Sequence, residues 1–182
     1  MKNQIETDLV VIASNAEPHW SDNWNFRSYL KQNIDSVEID RVALKITAEV
    51  SAKIDCTTCG NCCREVYPFM TAEDIDLLAE GTGKPRSEIL AQTKIEDDLR
   101  VFCQAPCPML KQNKCSVYRH RPVDCREYPH LDKSDFISRS IGHIQNYGTC
   151  PIVYNVLGQM KDCFSYDAQV DYIGDSDPEV DL

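Results

Sequence analysis

The stretch CTTCGNCC, Cys56 to Cys63, sets four thiols within eight residues and makes the last two neighbours. A chain built around such a segment is a disulfide scaffold, a zinc protein or a carrier of iron and electrons. CTTCG contains the C-x-x-C-G pattern of a metal knuckle, in which two intervening residues let both sulfurs converge on one ion. Gly60 can take positive φ, so the turn can aim backbone N–H groups at sulfur. The competing readings are a redox dithiol and a local disulfide. A thioredoxin-like C-x-x-C follows a strand within a βαβ pattern. Here a helical stripe precedes the motif, and the metal knuckle is favoured.

The rest of the chain sets the context for those thiols. Its 182 residues suit one small domain with room for a real core, and its 42% hydrophobic and 26% charged fractions are ordinary. No segment approaches the ~20 apolar residues of a membrane span. The first residues hold one five-residue apolar run, Leu9 to Ala13, preceded by acids, which is not the pattern of a secretory signal. A cytoplasmic location is expected. In a reducing compartment ten cysteines point to metal or redox chemistry, whereas in a secreted protein the even count would suit five disulfides. A net charge of −10 repels phosphate backbones, so nucleic acid is not expected as a partner, and without an apolar span neither is a membrane. Asp167–Leu182 carries six acids and no base, the composition of a solvated end.

Along the chain, residues 1–55 contain no cysteine and read as a helical segment, 56–165 as the cysteine-cluster domain, and 166–182 as the acidic tail. Ile39, Val42, Ile46 and Val50 recur at helical spacing with Arg41, Lys45 and Glu49 between them, predicting a helix from about Ser36 to Lys53. NWNFRSYLKQN predicts an earlier short helix that packs through Trp24, Phe26 and Leu30. Thr71 with Asp74 three residues later resembles a capping box, opening a helix to about Glu80 that Gly81 and Gly83 stop. Pro85 suits the first turn of another helix, through roughly Gln92. Leu99–Phe102 reads as a strand, and further helices are expected near 133–145 and 152–164. The expected class is mainly α, with short strands and metal-binding loops around a cysteine cluster.

The second cysteine-rich region, FCQAPCPMLKQNKCSVYRHRPVDCREYP, supplies Cys103, Cys107, Cys115 and Cys125. Pro108 and Pro151 directly follow Cys107 and Cys150, stiffening the ligand loop and removing a competing N–H. Pro122 is expected to open a short helix ended by Tyr128-Pro129, putting Cys125 in its first turn, where the dipole favours a thiolate. Lys111, Lys114, Arg119, Arg121 and Arg126 concentrate positive charge here. Arg121 and Arg126 are read as compensating thiolate charge, and the lysines equally as that or as solvated bases. His19, His120, His130 and His143 stand at no zinc-finger spacing from the cysteines and read as surface or packing residues. No Cys/His pair is distinguished as a nucleophile and base.

Taken together, CTTCGNCC, CPML, CSVYRHRPVDCREYP and a later CP closely resemble the YkgJ-like CxxCxxCC cysteine-cluster family, a zinc- or iron-chelating domain by description. The resemblance runs from about Cys56 to Cys150. It implies Cys56, Cys59, Cys62, Cys63, Cys107, Cys115, Cys125 and Cys150 as metal ligands, and also matches Tyr118, Arg121, Pro122, Arg126, Tyr128 and Pro129. Met109 replaces the family's usual Phe, and Cys103 and Cys163 are additional to the pattern. Flagellin lysine methylases are similar through this cysteine module, with no further match that would carry methylation over.

Neighbouring backbone positions rarely point their side chains the same way, so Cys62 and Cys63 are expected to serve different centres, or one to bind metal while the other lies just outside the ligand set, and two centres are preferred. Zinc and iron both accept Cys₄, so the residue types leave the choice open, an iron–sulfur cluster included. The expected function is metal chelation by clustered thiolates. The alternatives are an iron–sulfur redox or protein-modification enzyme and a zinc-stabilised interaction module, with no substrate or protein partner implied.

Overall fold

The computed structural model describes residues 4–171; the acidic tail beyond Asp171 lies outside the described residues. About 54% of the described residues are helical, with a few short strands, as expected of the class. The elements run α1 (Leu9–Ser14), α2 (Trp20–Asn33), α3 (Ser36–Ser51), α4 (Cys56–Cys59), α5 (Cys62–Glu65), α6 (Ala72–Thr82), α7 (Arg86–Leu90), β1 (Thr93–Glu96), β2 (Leu99–Phe102), β3 (Leu110–Lys111), β4 (Lys114–Cys115), a 3-10 turn (Tyr118–His120), α8 (Val123–Glu127), α9 (Phe136–Gln145) and α10 (Pro151–Cys163). They form two compact units, one from Met1–Ile54 with Pro129–Leu182, the other from Asp55–Tyr128. No helix among the described residues is long and apolar enough to cross a membrane.

The first unit is helical. Asp35 caps α3 by accepting the Val37 N–H at 2.9 Å, and the helix buries the stripe Ile39, Val42, Ala43, Ile46, Thr47 and Val50. Against it packs α10, with Val153, Val156, Leu157 and Met160 inside. Each such side chain contributes roughly 1.5–3 kcal/mol when fully buried. α2 is longer than the predicted segment, and buries Trp24, Phe26 and Leu30 as expected. α9 lacks a cap of its own, because Asp135 is left-handed at φ 64. Asp40 of α3 supplies one instead, accepting the N–H groups of Asp135 at 2.6 Å and Phe136 at 2.8 Å. The Leu9–Ala13 run forms most of α1, started by Asp8, whose side chain accepts the Val10 and Val11 N–H groups.

The second unit is built on α6. Thr71 and Asp74 form the capping box in full, and Ile75 and Leu78 reach a core of Met70, Ile89, Phe102, Met109 and Val117. Cys107 and Cys115 pack against this core. The helix runs on through Gly81 to Thr82 and stops at Gly83, at φ 68. Gly81 is therefore not a stop. Its missing side chain makes room for the 3-10 turn, since a Cβ there would lie 2.7 Å from the Cβ of His120. α7 begins at Arg86 with Pro85 as its cap and ends at Leu90, two residues short of the prediction. β2 occupies Leu99–Phe102 as read from the sequence. It pairs antiparallel with β1, Thr93 opposite Phe102 and Glu96 opposite Leu99, around a tight turn in which Asp97 and Asp98 both have positive φ.

Candidate metal centre

All seven cysteines that the motif contributes between residues 56 and 125 fall in the second unit. Asp55 starts α4 by accepting the Thr57 N–H at 2.9 Å and its hydroxyl at 2.6 Å, fixing the knuckle's entry. Gly60 ends it at φ 61, and a Cβ there would stand 2.8 Å from the backbone oxygen of Asn113. Asn113 and Gln112 form the β3–β4 turn, both at positive φ, so the knuckle abuts that hairpin. Gly60→Ala is accordingly expected to destabilise the protein by about 1–3 kcal/mol, for a strained φ and a backbone clash together, measured by thermal unfolding.

One backbone bond then joins the two cysteine segments: the Cys107 N–H donates to the Cys63 carbonyl at 2.7 Å. A local turn follows, the Leu110 N–H donating to the Cys107 carbonyl at 2.9 Å, and leads into the hairpin that carries Cys115. Arg64 closes the same corner, its guanidinium donating to the Asn113 side-chain oxygen and, at 3.4 Å, to the Cys59 carbonyl. Cys125 sits in the first turn of α8.

The thiols influence one another strongly. Burial pushes Cys125 up to about 12, reinforced by negative charge at Cys107, Cys63, Asp124 and Cys115. Burial likewise pushes Cys107 up to about 11, with Cys63 and Cys115 adding to it. Cys115 is raised by burial and by Cys63, and eased by Arg121. Every pair among Cys63, Cys107, Cys115 and Cys125 is thus electrostatically coupled. Cys63 alone moves down, to about 7, because the Cys62 thiol donates a hydrogen bond to it and because Arg121 and Arg64 favour its anion. Cys56 is raised by burial and by Cys59 and Asp55, again with Arg121 opposing.

One expectation changes here. Cys125 occupies the predicted helix turn, yet its thiolate is disfavoured, because burial and three neighbouring thiols outweigh the field of a five-residue helix. Cys62 and Cys63 share one turn of α5, where the Cys62 thiol favours the Cys63 anion by hydrogen bonding.

Arg121 is held by three anchors. Its Nε donates to the Tyr118 carbonyl at 3.0 Å, its Nη1 to the Cys125 carbonyl at 3.3 Å, and its Cζ lies 3.7 Å from the Tyr118 ring centroid. The resulting fixed cation favours thiolates at Cys56, Cys63 and Cys115. Arg126 donates instead to the Arg121 carbonyl at 2.8 Å. Arg64 was not singled out by sequence reasoning, although its place directly after the Cys62–Cys63 pair was a usable signal.

Cys150 belongs to the first unit, nearly buried at the N-cap of α10, and Pro151 is that helix's first residue rather than part of a loop. Cys103 is exposed after β2, its N–H bonded to Gln92, and Cys163 is exposed at the end of α10. His120 lies 3.8 Å from the Glu80 carboxylate, while His143 is buried in the first unit and held down at about 4, chiefly by burial.

Among the described residues, no three His, Cys, Asp or Glu side chains are already gathered as the ligands of one ion. The coupled thiols nevertheless form a donor set whose chemistry suits a thiophilic metal. They are all sulfur, partly buried, mutually repulsive as anions, and flanked by two fixed guanidinium groups. None of the ten cysteines is in a disulfide.

A small helical protein with a polythiol unit of this kind falls in the class of cysteine-rich chelating domains. Residues 55–151 match the family model "CxxCxxCC: Putative zinc- or iron-chelating domain". The match takes in more than half of the chain, and the protein belongs to that family. It covers the whole second unit and extends into the first as far as Pro151, so it includes Cys150. No curated protein and no solved structure matches the chain.

Proposed function

We propose that this protein chelates zinc or iron in its second unit through two groups of thiolates. Cys63, Cys107, Cys115 and Cys125 make one Cys₄ set, and Cys56, Cys59 and Cys62 supply donors for a neighbouring one. The observation that carries the reading is the family match over residues 55–151, which takes in all eight motif cysteines; the mutual repulsion of Cys63, Cys107, Cys115 and Cys125 as anions supports the first grouping. Thiols that repel as anions and are driven neutral by burial gain most from a cation, which supplies the missing attraction. Arg121 and Arg64 offset the net negative charge that a tetrathiolate keeps after binding a divalent ion. Bound metal would tie the knuckle, the hairpin and α8 into one structure, so part of its role is to hold the fold. Cys150 is read as a further ligand from the motif alone.

Metal analysis of anaerobically purified protein tests this directly. More than one zinc or iron per chain is expected. A ratio near one with four thiols still titratable would remove the second centre, and metal-free protein with a full thiol count would remove the function. Absorption near 400 nm that dithionite bleaches would assign the iron–sulfur form, and a colourless loaded protein the zinc form.

A further inference from the structure

α6 contains no cysteine, yet it holds the segments that carry them. Its Asp74 is 1% exposed, and both carboxyl oxygens are engaged. Oδ2 closes the capping box by accepting the Thr71 N–H at 3.0 Å and its hydroxyl at 3.2 Å. Oδ1 faces the other way and accepts the Val123 N–H at 2.9 Å. Val123 is the first residue of α8, and that N–H has no acceptor within its own helix. The clasp is reciprocal, since Asp124 accepts the Phe69 N–H at 3.0 Å. Residues 69–74 and 123–124 thus exchange side-chain-to-backbone bonds immediately before Cys125. In the last turn of α6, the bare face at Gly81 seats His120, four residues before Asp124.

We propose that Asp74 is a positioning residue for the Cys125 donor: its two-sided carboxyl group sets the place of α8, and so of the Cys125 sulfur, relative to the other thiols of the Cys₄ set. A helix cap needs only Oδ2. The second bond, to a chain segment 49 residues away, serves no purpose for α6 itself. Five-residue α8 is too short to hold its own place, and this bond and Asp124 fix its start from outside. The inference rests on the proposed reading of Cys125 as a ligand.

The test compares Asp74→Ala with Thr71→Ala in the full-length protein. Both break the capping box, but Thr71→Ala leaves the Val123 bond in place. Zinc affinity is measured by chelator competition at a temperature where circular dichroism shows each variant folded. Asp74→Ala is expected to bind zinc about tenfold more weakly, the scale of lost outer-sphere support. Thr71→Ala should lower the melting temperature and keep the wild-type affinity within about twofold. Equal losses in both variants, or none in Asp74→Ala, would overturn the assignment. If Asp74→Ala does not fold, Asp74→Asn carries the test, because it keeps one acceptor oxygen and should show a smaller loss in the same direction. Wild-type protein that takes up neither zinc nor iron would overturn the proposed function instead. Alkylation of Cys125 in the metal-free protein then decides the clasp: faster in Asp74→Ala and unchanged in Thr71→Ala supports it, and equal rates sink it.

Discussion

The zinc affinity of the purified protein is expected to climb by about three to four orders of magnitude for each pH unit between pH 6 and 8, because each thiol proton displaced on binding contributes about tenfold per unit. Cys107 and Cys125, pushed up to about 11 and 12, stay protonated throughout that range without metal, and Cys115 is raised as well. Cys63, lowered to about 7, crosses from thiol to thiolate within it. Near pH 6 four protons should therefore leave per Cys₄ set, and near pH 8 about three, so the slope should flatten across pH 7. Chelator competition at pH 6, 7 and 8, with proton release measured in weak buffer, reads both quantities. A slope of one decade per unit or less would mean that the four thiols do not act together.

Metal-free protein should respond to pH in the opposite sense. Cys107 and Cys125 have folded values above the ~8.5 of a free thiol, so their contribution to stability is complete below that pH and disappears as pH rises toward 11 and 12. Cys63 works the other way, its contribution present above ~8.5 and lost as pH falls through 7. With two strongly raised thiols against one lowered, the apo protein should unfold more easily in mild base. Loaded protein, whose thiolates are already formed, should not.

What could be read from the sequence was local. The α3 stripe, the Thr71–Asp74 capping box and the Leu99–Phe102 strand depend on residues a few positions apart, and each stands where its pattern puts it. Features that depend on distant partners could not be read this way. Gly81 reads as a helix stop until His120, which needs the space above it, is known. The start of α9 has no capping residue beside it because Asp40, far away in the chain, does that work. β1 is invisible alone, with no apolar alternation, and exists as the partner of β2. The same divide runs through the site. Cysteine spacing announces a polythiol unit, whereas the grouping proposed for Cys63 with Cys107, Cys115 and Cys125 depends on three segments meeting. The thiolate expectation for Cys125 failed for that reason: a helix turn can be read from Pro122, but burial among other thiols cannot.

Replacing Cys63 with Ser is expected to have the largest effect of any single substitution, removing at least one metal ion per chain. Cys63 is coupled to all three other members of the Cys₄ set, and its carbonyl accepts the Cys107 N–H. That bond is made by the backbone, so Cys63→Ser deletes the sulfur and keeps the link. A loss of metal then reports on ligation rather than on a broken loop. Affinity at the damaged set should fall by more than the ~10–100-fold that outer-sphere changes cost. Structural zinc supplies an apparent ~10–16 kcal/mol in small folded units, so the loaded protein's melting temperature should fall with it. Cys103→Ser and Cys163→Ser, both at exposed thiols additional to the motif, should keep the wild-type metal ratio. Cys62→Ser separates what its neighbour does from what it does itself. A serine hydroxyl can still donate to the Cys63 anion, so an unchanged ratio would reduce Cys62 to a hydrogen-bond donor for one centre. A ratio lower by one ion, with the Cys63 set still loaded, would make Cys62 a ligand of the second.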